Sequence, residues 1–220
     1  MCRQAVAALF LVLCLQVCSS GIVQAGETLS ARVRWVADGD TLFLQDGETV
    51  RLKGVDAPEL GRDGEPDQHH ARKSRDGLAG LVEHRVLSLE LDGQKRDRYD
   101  RLLAWVRLPD GRLLQEVLLE RGLVFVYPHP GDSLRHHDAL LRTQQRAMDA
   151  RRGFWGRILD LPVAEKTFTG NKRSMRFHAP GCPNGLRISR GNKVWFGSLE
   201  AAFRSGYAPA RQCTPWPPGR

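Results

Sequence analysis

Asp38-Gly-Asp-Thr-Leu-Phe-Leu-Gln-Asp-Gly-Glu-Thr-Val-Arg-Leu-Lys-Gly-Val-Asp56 reads as two short strands around a tight turn. Thr41–Leu44 alternates in polarity, Gln45-Asp-Gly-Glu48 is a turn signal, and residues 49–55 follow as the hairpin partner. On that second strand Val50 and Leu52 share one face, while Arg51 and Lys53 point the other way. Working outward, Arg32–Val36 alternates ahead of the hairpin, and Val86–Leu91 and Leu102–Leu108 are strands beyond it. Val124–Tyr127 is a further short strand candidate. Helical spacing marks Gln68–His84, although Gly77 and Gly80 weaken it, and Leu113–Arg121, which stops at Gly122. The strongest helix is capped by Asp132 or Ser133 and runs to about Arg152, with Leu134, Leu140, Leu141, Ala147 and Met148 as its buried stripe.

Five short strands, an inserted helix and a capping helix predict a small closed barrel of the OB type. The expected class is mainly β with α: a five-stranded OB-fold barrel with about three helices, plus a small C-terminal α+β module. The order of elements does not suit a doubly wound parallel sheet. Internal repeats and long low-complexity segments do not occur in the sequence.

Residues 1–25 read as a removable secretory signal: Arg3 leads, residues 5–17 are nearly all apolar, and Val23-Gln-Ala25 is a small-residue cleavage site. The apolar run is shorter than the roughly 20 residues of a membrane span, so a secreted or periplasmic chain without stable membrane insertion is expected. Removal of the signal takes away Cys2, Cys14 and Cys18 and leaves Cys182 and Cys213, which in an exported chain read as one disulfide. The expected organisation is the barrel over 26–158, a linker at 159–166, the module over 167–213 and a tail at 214–220. Lysine and arginine number 33 against 25 acidic residues, a formal charge of +8 dominated by arginine. That balance suits a polyanionic partner or simply serves solubility. The chain is expected to be a monomer.

The chemistry concentrates in a few residues. Asp40 and Asp56 are two carboxylates able to share a hard cation with backbone carbonyls and water. Taken singly, Asp38-Gly-Asp-Thr41 is a turn and Asp56-Ala-Pro58 a strand exit; together with Arg51 and Glu59 they make a candidate site. Glu59 either takes a proton from an attacking water or caps the loop after Pro58. Arg51 and Arg101 either grip a phosphate bidentately or pair with Glu59 and Asp97. The histidine pairs His69–His70 and His136–His137 read as exposed surface residues rather than metal ligands, since neighbours on a helix point about 100° apart.

Asp38-Gly-Asp-Thr41, Arg51-Leu-Lys-Gly-Val-Asp-Ala-Pro-Glu59 and Asp97-Arg-Tyr-Asp-Arg-Leu-Leu-Ala104 together resemble the thermonuclease, or staphylococcal nuclease-like, family over roughly residues 30–156. The resemblance implies an OB-fold nuclease that uses one Ca²⁺ to cut DNA and RNA with little sequence choice, leaving 3′-phosphate ends. It implies Asp40, Asp56 and the Ala57 carbonyl as calcium ligands, Ala57 standing where the family often has threonine. Glu59 is then the general base, Arg51 and Arg101 hold the phosphate, and Arg98 and Tyr99 lie beside the bound nucleotide. Phe125 and Tyr127 either stack a base or pack the core. Residues 170–213 resemble the small zinc-binding domain of Ada-type DNA repair proteins. Ala210 replaces one of that family's cysteines, so a Cys182–Cys213 disulfide is expected over a zinc site using His178. Lys172, Arg173, Arg176, Arg187, Arg190 and Lys193 form a candidate DNA-holding patch or a solvated basic surface. The rival readings are a non-catalytic exported nucleic-acid-binding protein on the same barrel and a disulfide-stapled envelope protein. Retention of Asp40, Arg51, Asp56, Glu59 and Arg101 favours the nuclease.

Overall fold

The structure is a computed structural model that describes residues 27–129, 133–161, 167–211 and 216–217. The signal segment, Asp132 and Cys213 lie outside the described residues. The chain begins with β1 (Glu27–Asp38), β2 (Thr41–Leu44), β3 (Thr49–Leu52) and β4 (Val55–Asp56). Helix α1 (Ala71–Val82), β5 (Val86–Leu91), β6 (Leu102–Arg107), α2 (Leu114–Glu120) and β7 (Phe125–Val126) follow. Next come α3 (His137–Asp149) and α4 (Trp155–Ile158). The module holds β8 (Phe168–Asn171), β9 (Arg176–His178), α5 (Pro183–Leu186), β10 (Lys193–Phe196), α6 (Leu199–Arg204) and β11 (Ala208–Pro209).

Strands β1-β2-β3-β6-β5 close into a five-stranded barrel, as the alternation of the sequence predicts. Closure leaves no unpaired barrel edge. It works because β1 is long enough to pair with β5 through Glu27–Arg32 and with β2 through Val33–Asp38. Register shifts between Val33 and Trp35 and between Val36 and Asp38 bend β1 toward the second partner. Val33, Leu42, Val50, Leu52, Leu89 and Val106 fill the interior with Leu78 of α1 and Leu114 and Leu118 of α2.

The strand predicted over 49–55 breaks in two. Gly54 sits at φ 72°, turning the chain so that β4 leaves the barrel and pairs with β7. The stretch Val124–Tyr127 therefore contributes to a two-stranded sheet beside the barrel. A Cβ at Gly54 would lie 2.7 Å from Trp105 Cη2 and 2.9 Å from Leu140 Cδ1. Gly54→Ala combines left-handed strain with overpacking and is expected to destabilise the fold by about 3 kcal/mol. An unchanged urea midpoint would count against this account of the turn.

Helix α3 is shorter than its sequence suggests and starts without a side-chain cap. Ser133 instead donates its hydroxyl to Asp92 at 2.6 Å. Leu134 is 67% exposed and drops out of the stripe, whereas Gln144 is fully buried. Gln144 accepts from Val126 N at 2.7 Å and donates to Phe203 O at 2.7 Å, so a polar residue ties barrel side to module. The histidine pairs are half-buried rather than exposed. His70 packs edge-on to Phe154 and His136 edge-on to Trp105.

The module folds as a four-stranded sheet in the order β10-β8-β9-β11. Its Phe168, Phe177, Phe203 and Tyr207 join Phe125, Met148, Phe154 and Trp155 in one apolar cluster. Trp216 completes that cluster and donates its indole N–H to His69 O at 3.0 Å. Cys182 is disulfide-bonded, and its expected partner Cys213 lies outside the described residues. Among the described residues no helix is long and apolar enough to cross a membrane.

Candidate active site

The two faces of β3 set the site. Val50 and Leu52 enter the barrel core, and the residue between them is buried as well: Arg51 is 1% exposed. Burying a guanidinium requires carboxylate partners. Arg51 Nη2 lies 3.0 Å from Asp40 Oδ2 and 2.8 Å from Asp56 Oδ1, while Nη1 donates to the Leu52 and Val55 carbonyls. One arginine thus bridges the two aspartates that the sequence singles out.

Gly39 allows this convergence. A Cβ there would lie 2.6 Å from the Ala57 Cβ and 2.8 Å from that of Ser74, so only glycine lets the Asp38–Asp40 turn press against the β4 exit. The contact is sealed by Ala57 N, which donates to Asp40 Oδ2 at 2.9 Å. Asp38 Oδ1 accepts from Asp40 N and fixes the turn. Beyond Pro58, Glu59 N donates to the Gln68 side chain and Gln68 N to the Glu59 carbonyl, closing the 59–68 loop at its base.

These residues line a cleft of about 730 Å³ whose wall includes Asp38, Asp40, Arg51, Glu59, Tyr99 and Arg101. Arg101 is held at the rim by Asp97, with Nη2 2.7 Å from Oδ2. Tyr99 is 63% exposed, with the Arg98 guanidinium 4.8 Å from its ring centre. Phe43 also lines the cleft, and Trp35 stacks on it at 4.0 Å. The structure therefore brings Asp40, Arg51, Asp56, Ala57, Glu59 and Arg101 together, with Arg98 and Tyr99 at the edge. Phe125 and Tyr127 are buried in the core cluster, so of their two readings packing holds.

Two contributors come from the module, where the sequence does not point to them. Arg176 Nη2 sits 2.7 Å from Asp56 Oδ2, and its guanidinium lies 3.5 Å from the Tyr127 ring centre. It belongs to the site's interior and not to the module's basic patch. Arg211 Nη2 lies 2.7 Å from Glu59 Oε1 and lines the cleft. Asp38 is the third addition, a carboxylate that reads as mere turn chemistry in the sequence. No periodicity links residues so distant along the chain; the only sequence signal is that module arginines outnumber module acids.

The electrostatics divide the two aspartates. Burial pushes the Asp40 carboxyl well above the usual range, and Asp38, Asp56 and Glu59 push the same way against the pull of Arg51. Burial acts on Asp56 too, but Arg176, Arg51 and Arg211 overcome it and hold that group well below its ordinary value. Glu59 is raised, by burial first and then by Asp56. Crowded oxygens at Asp40 with acidic neighbours on one cleft suit a hard cation chemically. Among the described residues, however, no three His, Cys, Asp or Glu side chains form a ready metal cage, and guanidinium groups take both Asp56 oxygens.

Comparison with known proteins gives the same answer as the geometry. Residues 49–157 match the staphylococcal nuclease homologue family model. A thermonuclease of Staphylococcus hyicus is 29% identical over 143 residues, covering 62% of this chain and 81% of that protein. An uncharacterized endonuclease of Escherichia coli is 30% identical over 130 residues, 58% of this chain and 77% of its own. Endonuclease YncB of Bacillus subtilis is 33% identical over 124 residues, 54% of this chain and 58% of its own. The five-stranded barrel, its buried arginine between two aspartates and these relatives converge on one conclusion: the chain belongs to the staphylococcal nuclease homologue family.

Proposed function

We propose that this protein is an exported nuclease that hydrolyses phosphodiester bonds of DNA and RNA with little sequence preference. The observation that carries the reading is Arg51, buried between Asp40 and Asp56 beneath a cleft that also holds Glu59 and Arg101. A strand lying in this cleft would meet guanidinium groups at its base and rim, suited to the phosphates that every sequence shares. Arg51 and Arg101 would grip the phosphate oxygens and offset charge growing at phosphorus. Glu59, raised from its ordinary value by burial and by Asp56, is suited to take the proton of an attacking water. Departure of the 5′-oxygen leaves a 3′-phosphate end. Trp35 stacked on Phe43, and Tyr99 at the rim, offer exposed ring faces for unpaired bases.

A single Ca²⁺ would be held by Asp40, the Ala57 carbonyl and Asp56, whose oxygens it would share with Arg51 and Arg176, and it would supply a positive charge beside the phosphate. Degradation of single-stranded DNA and RNA by the mature protein is expected to stop when a calcium chelator is added and to return with excess Ca²⁺. Binding without degradation would favour the non-catalytic reading, and undiminished cutting in chelator would remove calcium from the account. The module resembles the Ada-type domain without its full cysteine set, and the bonded state of Cys182 supports a structural staple over a zinc site.

A further inference from the structure

We infer that Arg211 is a further substrate-contacting residue, a third cleft arginine that the C-terminal module lends to the barrel. The inference rests on reading the cleft as a phosphodiester site. In the structure Arg211 touches Glu59 through a single Nη2–Oε1 contact of 2.7 Å, and its side chain is 63% exposed. The same Nη2 lies 4.0 Å from Asp56 Oδ1, so the guanidinium already stands at the mouth of the carboxylate cluster.

An exposed ion pair made through one nitrogen is weakly held. A phosphate entering the cleft offers the same guanidinium two oxygens in a matching fork, a stronger partner. The backbone bearing Arg211 does not have to move for the exchange. Ala210 N donates to Phe177 O at 2.8 Å, and Ala208 and Pro209 pair with Arg176 and Phe177. A pinned backbone with a solvent-facing side chain is a swinging arm on a fixed hinge.

Arg176 shows the contrast. Its side chain is 15% exposed, and it is held by Asp56, by the Tyr127 ring and by the Pro209 carbonyl at 2.9 Å. It positions Asp56 and stays there. Arg211 has no such enclosure, and its departure to a phosphate leaves Glu59 without its cationic partner as a water must be placed beside the phosphate. The module thus acts on the site twice, through one fixed arginine and one mobile one.

Two measurements on the full mature chain test this, using Arg211→Ala and Arg211→Lys. Steady-state cleavage of single-stranded DNA is expected to show kcat/KM lowered about 10- to 100-fold in Arg211→Ala with an unchanged Tm. The lysine variant should recover only part of it, since it cannot make the fork. Anisotropy titration of a single-stranded oligonucleotide, in chelator so that it stays intact, should give a plot of log affinity against log salt that is shallower by about 0.7 in Arg211→Ala. Wild-type kinetics and slope in that variant would overturn the inference, and so would a gain in activity, which would make the Glu59 contact an obstruction. If the wild-type chain binds without cutting, the nuclease reading fails and the salt slope alone decides Arg211. Absence of any binding overturns both.

Discussion

Arg101→Ala is expected to lower kcat by roughly three orders of magnitude or more, the range seen when an arginine that neutralises transition-state charge is removed from a phosphoryl-transfer site. The fold should not notice. Arg101 lies at the rim with its side chain 25% exposed, and its partner Asp97 keeps backbone donors from Tyr99 at 2.8 Å and from residue 101 itself at 3.1 Å. The substitution therefore strands no buried charge. Steady-state cleavage of single-stranded DNA with saturating Ca²⁺, beside thermal melts of the same preparations, separates the two effects. Near-normal calcium-dependent activity in Arg101→Ala would sink the assignment of the cleft.

Arg51→Ala should fail differently. From the sequence alone the fold is expected to survive loss of either arginine, but Arg51 is fully enclosed. Its removal leaves Asp40, 6% exposed, without its guanidinium and takes one of three from Asp56. Breaking a buried ion pair from one side costs about 3–5 kcal/mol. For a chain of this size that lowers Tm by roughly 10 °C. Arg51→Lys is no rescue, because one ammonium cannot reproduce a planar fork reaching two aspartates and two carbonyls. Calorimetry at neutral pH reads the effect directly. A Tm within a degree or two of wild type would mean that the aspartates do not depend on Arg51.

The barrel and most of the residues that line the cleft are legible in the sequence. Val86–Leu91 alternates cleanly because one face is core and the other is not, and the observed strands Val86–Leu91 and Thr41–Leu44 have the bounds read from the sequence. Asp40 and Asp56 are legible because a turn and a strand end throw side chains to predictable places, and Arg51 because it alternates with Val50 and Leu52. What escaped was whatever depends on distant partners. Gln144 sits in a helix as a polar residue, and only the carbonyl of Phe203 explains its burial. The break at Gly54 turns on a positive φ with the Trp105 ring packed against it, a contact that no local pattern shows. Arg176 reads in the sequence as part of a DNA-holding patch or a solvated basic surface, and β9 instead places it against Asp56, since ion pairs across a fold leave no period in a sequence.

The apolar cluster shared by the barrel side and the module, in which Phe125, Phe154 and Trp155 meet Phe177, Phe203 and Trp216, carries a consequence for how this chain is inherited. The stretch matched by the family model ends at residue 157, yet the rings near that end are covered by residues beyond it. Ancestry and cooperativity therefore draw different borders here. A recombination event that swapped the first segment for a relative's would transmit the recognisable motif and leave behind the module rings that cover Phe125, Phe154 and Trp155.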